Sequence, residues 1–371
     1  MLSSLSLLTK AKRSESRCGM RKSSETVGLL KKTAARFGWV GLVICSALGS
    51  GDTLSRQAIA DPLGSLGLPV SCVLGTECFV QQMPDIDPTS GVLDPLCGLA
   101  TYQGHDGWDI RLRSLRDIVQ DVPVLAVADG RVARMRDGID DQIYTDAEDK
   151  TRVADKECGN GVMIEHASGL SSQYCHLKNG TVLAKSGAHV QKGQRIGAIG
   201  SSGYAEFPHV HVSIRLDGKL VEPLTGKSLV DVNAACGDLS GSLFEPSAVR
   251  ALDRQNAAIL EYGLADFVPN LPDLVRKGAP PLAKNGGNPT VAWLWAINVE
   301  AGYRFRIKLV GPDETILVDH TTTAFEKRKA NYLSYVARKL AISSGRYSLS
   351  VEMLNADKSI QSKNGLFIVL E

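Results

Sequence analysis

The sequence carries almost no surplus charge: 42 lysine and arginine residues stand against 40 aspartate and glutamate residues, for a net charge of +2. That excludes the basic footprint of a nucleic-acid binder. Long hydrophobic runs are missing as well. The one sustained apolar stretch before the first domain, FGWVGLVICSAL at residues 37–48, falls short of the ~20 residues that span a bilayer. No C-x-x-C pair is present, so a cysteine–zinc site has no support in the spacing.

What the N-terminus does contain fits export. Residues 1–36 are rich in Ser, Lys and Arg without an apolar period and are expected to be disordered. Met20 offers a second start, followed by the basic stretch MRKSSETVGLLKKTAAR, and residues 37–48 then fit a secretory h-region. Cleavage is expected after Gly49 or after Ala60. An uncleaved anchor is the alternative, and it would be the chain's only membrane contact. Cys45 follows Ile44 rather than the small residue of a lipoprotein site. Beyond this segment lie Cys72, Cys78, Cys97, Cys158, Cys175 and Cys236. An even number in an exported chain implies disulfides, with the pairing left open. The expected location is the periplasm or cell envelope.

Chemistry concentrates between residues 105 and 211. In GHDGWDI, His105 and Asp109 are four apart, and Gly104 and Gly107 argue against a helix. On an extended segment an even spacing puts both side chains on one face. His209 and His211 are two apart in PHVHVSIR, where Val210, Val212 and Ile214 alternate with them as the core face of a half-buried strand. His176 ends another β-like run, SSQYCHL. Catalytic zinc takes about three N/O protein ligands and leaves a position for water. Two imidazoles and one carboxylate leave residual positive charge that lowers the pKa of such a water toward ~7. Two further histidines can then serve as proton acceptor and oxyanion partner. His166, His189 and His320 are expected to be ordinary packed or surface residues. Cys175 precedes His176, so on a strand it points away from that histidine and does not make a Cys–His nucleophile.

HDGWD fits H-x-G-x-D, VHV fits H-x-H and YCHL fits the intervening H-L. With VLAVADGRVARM, GNGVMIEHASG and HVQKGQRIGAIGSSG as scaffold, residues 97 to 224 resemble the lysostaphin/LytM-type zinc metallopeptidases, which cut peptide bonds in peptidoglycan. The resemblance implies that His105, Asp109 and His211 bind Zn2+, that His176 and His209 are the non-ligand catalytic pair, and that peptidoglycan is the substrate. Two stretches depart from the family's pattern. SSGYAEFPH has Glu206 and Phe207 where the family more often has a Thr-Gly pair, and an acidic insertion occupies residues 137–157. Both are expected to border the cleft. Two other classes stay open. One is a non-catalytic, wall-binding activator of other hydrolases, although such domains typically lack the zinc ligands kept here. The other is an endopeptidase of a non-wall protein.

The expected organisation is mainly β. Residues 1–60 are the N-terminus with its signal or anchor, and 61–98, full of turn signals, form a loop-rich cap holding Cys72, Cys78 and Cys97. Residues 99–224 form the metallopeptidase domain, an antiparallel two-sheet core. VPVLAVADGRVARM reads as a hairpin about Asp129-Gly130, HVQKGQRIGAIG as two strands about Lys192-Gly193, and HVHVSIRLDGKLVEP as strands joined at Asp217-Gly218. Residues 225–254 read as a linker running into a helical stretch, PSAVRALDRQNAAILE. Residues 255–371 read as an immunoglobulin-like β-sandwich, because Tyr303–Leu309 alternates apolar and basic residues and Tyr347, Leu349, Val351 and Met353 repeat the pattern. GLFIVL is expected to be a buried strand, and KRKANYLSYVARKL fits strand or helix. Arg304, Arg306 and Lys308 form either a solvated strand face or a basic stripe for a partner.

Overall fold

A computed structural model describes residues 65–144, 151, 153–230, 236–253, 257–356 and 358–371. The N-terminal readings, including the h-region at 37–48, lie outside these residues, as does part of the acidic insertion. Among the described residues no helix is long and apolar enough to cross a membrane.

The chain is mainly β, and its first half is built on a nine-stranded antiparallel sheet. The strands are β1 (Phe79–Gln82), β2 (Trp108–Arg111), β4 (Gly130–Arg136), β5 (Asn160–His166), β6 (Leu170–Leu177), β7 (His189–Val190) and β9 (His209–Leu216), in the order β1-β2-β9-β6-β5-β4-β7. β10 (Lys219–Glu222) continues from β9 and carries β11 (Lys227–Ser228). Two short strands, β3 (Pro123–Leu125) and β8 (Arg195–Ala198), form a separate pair.

The reading of Asp129-Gly130 as a hairpin is therefore wrong: β3 pairs with β8, while β4 pairs with β5 and β7. The backbone bonds explain why. Ala126 N–H donates to Gln194 O, Gly193 N–H to Ala126 O and Gly67 N–H to Val127 O, so the segment between β3 and β4 spends its polar groups on other neighbours. For the same reason the strands about Lys192-Gly193 do not pair with each other. The turn at Asp217-Gly218 does join paired strands. Both residues have positive φ, 50° and 77°, which a tight two-residue hairpin requires.

The cap is less loop-like than its turn signals imply, because β1 joins the edge of the main sheet beside β2. Disulfides link Cys72 to Cys78, Cys158 to Cys175, and Cys97 to Cys236 across 139 residues. Bridges of this kind typically contribute about 2–4 kcal/mol by restricting the unfolded chain. The stretch read as a linker forms helix α1 (Pro246–Leu252) and sends Leu243, Phe244, Ala248 and Leu252 into the same core as Ile110, Val132, Ile164 and Val210.

The second half has seven strands: β12 (Ala258–Ala265), β13 (Thr290–Val299), β14 (Tyr303–Val310), β15 (Ile316–Thr321), β16 (Lys329–Arg338), β17 (Gly345–Asn355) and β18 (Lys358–Val369). A short helix α2 (Leu271–Lys277) follows β12. The sheets β12-β13-β16 and β15-β14-β17-β18 share an apolar layer that includes Leu294, Phe305, Ile307, Leu349 and Val351. Every residue of β13 is buried. Ala292, Leu294 and Ala296 serve that layer, while Val291, Trp293, Trp295 and Ile297 pack on Phe79 of β1. A strand covered on both faces shows no alternation, which is why TVAWLWAINV is continuously apolar. KRKANYLSYVARKL contains β16. GLFIVL is not buried as expected: Leu366 and Ile368 are 66% and 57% exposed, and Val369 alone of its side chains is buried. The sheet β15-β14-β17-β18 turns one face to the shared apolar layer, so alternate side chains of β18 face the core and the others meet water. Arg306 makes a two-pronged pair with Asp319, so that face carries acid beside its base.

His166 lies away from the site, with Nδ1–H donating to Asp129 O and Nε2 meeting Ser172 Oγ. Burial lowers its pKa below the ordinary 6.5. A histidine kept neutral by the fold stabilises above the unfolded pKa. As pH falls below about 6.5 the unfolded chain binds a proton that the folded chain resists, and stability drops by at most about 1.4 kcal/mol per pH unit for this group. His166→Asn is expected to flatten part of the slope of unfolding free energy against pH below about 6.5, measured by denaturant titration.

Candidate metal centre

Cross-strand register assembles the site. β2 and β9 pair with Asp109 opposite His211 and Arg111 opposite His209, and β6 places Cys175 opposite His211 on the other side. His105 lies just before β2. One ligand atom from each of His105, Asp109 and His211 falls within 4.8 Å of the others. His105 Nε2 is 3.1 Å from Asp109 Oδ2, and His211 Nδ1 is 2.9 Å from Asp109 Oδ1. His209 Nε2 approaches Asp109 Oδ1 at 3.6 Å. The ring centroids of His176 and His209 are 4.6 Å apart, and those of His176 and His211 are 6.3 Å apart. All five residues singled out in the sequence thus meet at one place.

His176 reaches it through a backbone feature that its sequence does not announce. Its φ is 62°, in the left-handed region, at a register shift between β5 and β6. Such a bulge re-aims one side chain relative to regular alternation. The Cys158–Cys175 bridge braces the residue immediately before it.

Backbone carbonyls set the imidazole tautomers. His105 Nδ1–H donates to Met83 O at 2.8 Å, His176 Nδ1–H to Ser202 O at 2.8 Å, and His209 Nδ1–H to Phe207 O at 2.7 Å. A carbonyl only accepts, so each neutral ring keeps its lone pair on Nε2. His105 Nε2 is buried and lacks a hydrogen-bond partner, despite its nearness to Asp109. A buried lone pair without a donor is costly, and a cation between His105, Asp109 and His211 would satisfy it. Two imidazole nitrogens and a carboxylate oxygen suit Zn2+. Zinc identity rests on that donor chemistry alone.

The electrostatics agree with such a site. Burial opposes the charge on Asp109, but the nearby His105 and His209 and the hydrogen bond from His211 outweigh it and hold the carboxyl well below its usual range. Burial, then repulsion from His209 and His211, pushes His176 down to about 3. Burial also lowers His209, with Asp109 working against the shift. His211 is raised to about 9, because hydrogen bonds to Asp106 and Asp109 overcome burial.

Asp106 was not singled out by the sequence reading. Its Oδ1 lies 3.1 Å from His211 Nε2, and Arg215 approaches its other oxygen at 3.9 Å. It orients His211 from behind, the place where metal-binding imidazoles commonly meet a carboxylate. Neither spacing nor alternation marks it, since it directly follows His105.

Gly107 shows why the motif needs glycine. A Cβ there would come within 2.5 Å of His211 Cε1 and Nε2 and 2.8 Å of Val212 O. Gly107→Ala is expected to push the His211 ring aside and weaken metal binding by at least about tenfold, as losses in ligand orientation do. Competition with a calibrated chelator would measure it.

Residues 103–223 match the sequence profile described as Peptidase family M23. The "DD-carboxypeptidase/endopeptidase Mpg" of Neisseria meningitidis is 37% identical over 67 residues, which is 18% of this chain and 15% of that protein. The "Peptidoglycan DD-endopeptidase ShyA" of Vibrio cholerae is 36% identical over 66 residues, again 18% of this chain and 15% of its own length. Among solved structures, the catalytic domain of the antimicrobial peptidase lysostaphin from Staphylococcus simulans matches 40% of this chain and 89% of its own at 20% identity and a TM-score of 0.25. The likeness is one of segments: the matches to Mpg and ShyA each span 15% of the relative's length.

Proposed function

We propose that the chain is an exported zinc endopeptidase that hydrolyses peptide bonds in peptidoglycan. The observation that carries this reading is the convergence of His105, Asp109 and His211 around one point, with His176 and His209 beside it. The M23 match over the same residues and a relative named as a peptidoglycan endopeptidase support the reaction and the substrate. Three disulfides support an oxidising location in the periplasm or envelope.

His105, Asp109 and His211 would hold the metal, which when bound supplies Lewis acidity toward water and the scissile carbonyl. His209 is the proton acceptor. Its Nε2 lone pair faces the site, and Asp109 stabilises the imidazolium that forms. The same proton can then pass to the departing amine. His176 has a different part. An oxyanion partner must donate, but the Nδ1–H of His176 is already given to Ser202 O, and its ring resists protonation. Its Nε2 can only accept, so it orients the attacking water. We also read residues 99–224 as the catalytic domain. Residues 255–371 are read as an immunoglobulin-like sandwich, on the strand orders above and on the Tyr347 hydroxyl bonding back to Ser343 O at 3.1 Å.

The test is a digest of purified sacculi by zinc-loaded protein, read by mass spectrometry. Chelator-sensitive cleavage at peptide bonds is expected. Zinc-loaded protein that leaves sacculi intact would sink the reading in favour of an activator, and cleavage of casein or elastin alone would replace the substrate.

A further inference from the structure

Arg111 sits at the end of β2, two residues beyond Asp109 and directly opposite His209 in the ladder. It is completely buried. Its hydrogen bonds go to neutral oxygens: Nε to Leu112 O, Nη1 to Gln81 Oε1 and Nη2 to Arg113 O. Burying a cation among neutral acceptors is costly, and two aromatic rings offset part of that cost. The guanidinium carbon lies 4.6 Å from the Phe207 centroid and 5.1 Å from the Trp295 centroid.

These two rings come from different halves of the chain. Trp295 belongs to β13, on the face turned toward β1. Phe207 belongs to the loop just before His209, where the sequence departs from the metallopeptidase pattern. Phe207 holds His209 in two ways: its carbonyl accepts the Nδ1–H at 2.7 Å, and the ring centroids are 4.6 Å apart. A continuous line of ring and guanidinium contacts therefore runs Trp295–Arg111–Phe207–His209, with the last two rings tilted by 39°.

We propose that the C-terminal sheet is part of the catalytic apparatus, with Trp295 and Arg111 acting as positioning residues that fix Phe207 and, through it, the orientation of His209. The inference rests on the reading of His209 as proton acceptor. A loop phenylalanine has no ladder bonds to hold its ring, and Arg111 supplies the surface it stacks on. A proton acceptor must be held within about 0.5 Å of its working position, and an error of about 1 Å costs roughly 100-fold in rate.

The experiment uses the full chain and a soluble cross-linked muropeptide, with kcat, KM and metal content measured together. Trp295→Leu should retain one metal per chain and keep KM within about twofold while kcat falls at least tenfold. Trp295→Phe, which restores a ring, should recover most of that loss. Phe207→Leu should match Trp295→Leu, and the double variant should be no worse than either single one, since one stack is broken only once. In the metal-free protein, nitrogen NMR should find the Nδ1–H tautomer of His209 in wild type and a tautomer mixture in Trp295→Leu. Wild-type kcat in Trp295→Leu, or losses that multiply fully in the double variant, would overturn the proposal. Where Trp295→Leu does not fold, Arg111→Lys, which keeps the charge without the flat stack, takes its place in the same cycle under the same criteria. His209→Ala separates the two levels. If it turns over normally, the role of His209 itself falls. If it is inactive while Trp295→Leu is fully active, only the positioning inference falls.

Discussion

Asp109→Ala is expected to remove the metal and the hydrolysis together. Asp109 is the hub of the site: its two oxygens lie within 3.1 Å of His105 and His211 nitrogens, and His209 approaches one of them. It is also the only carboxylate of the proposed ligand set. Without it, His105 and His211 would offer two neutral nitrogens, and His176 and His209 would add no charge to balance a divalent ion. A change behind a ligand already costs about 10- to 100-fold in affinity, so loss of the ligand itself should exceed about 100-fold. Hydrolysis should fall at least in proportion. Metal analysis after dialysis, paired with the sacculus digest, reads both. A variant that keeps one metal per chain would show that Asp109 is not a ligand.

His209→Ala should give the opposite pattern, with the metal retained and hydrolysis reduced by about 10²- to 10⁴-fold, the usual contribution of a general base. The distinction comes from where each imidazole points. His211 turns Nδ1 to Asp109 and Nε2 to Asp106, so it is gripped on both sides. His209 spends Nδ1 on Phe207 O and offers only Nε2, at a longer 3.6 Å from Asp109. His176→Ala should cost less than His209→Ala, because orienting water is a smaller task than taking its proton. If His209→Ala lost the metal and His211→Ala kept it, the two roles would have to be exchanged.

Much of the site was legible because its residues obey the two-residue period of a strand. His209 and His211 alternate with Val210 and Val212, so their side is fixed once the valines are buried. Asp109 follows from its own strand's pairing with β9. Less legible was everything set by exceptions to that period. The left-handed backbone of His176 is a bulge, and no residue type in QYCHL signals it. Asp106 acts through space on a residue more than a hundred positions away. The same limit applied to the fold. Alternation in β14 marked Phe305, Ile307 and Leu309 as core, but it could not show that β3 and β4 part company, because partner choice depends on where Ala126 and Val127 send their backbone bonds. The apolar run GLFIVL misled for a related reason: composition gives strand propensity, whereas exposure depends on a strand's place in its sheet.

The cladding of β13 on both faces has a practical corollary. Severing the chain between residues 253 and 257 would leave each half with a water-shunning wall: Phe79 on one fragment, and Trp293 and Trp295 on the other. Neither fragment would then be a natural unit of expression. Each half expressed alone would be expected to aggregate through that uncovered apolar surface.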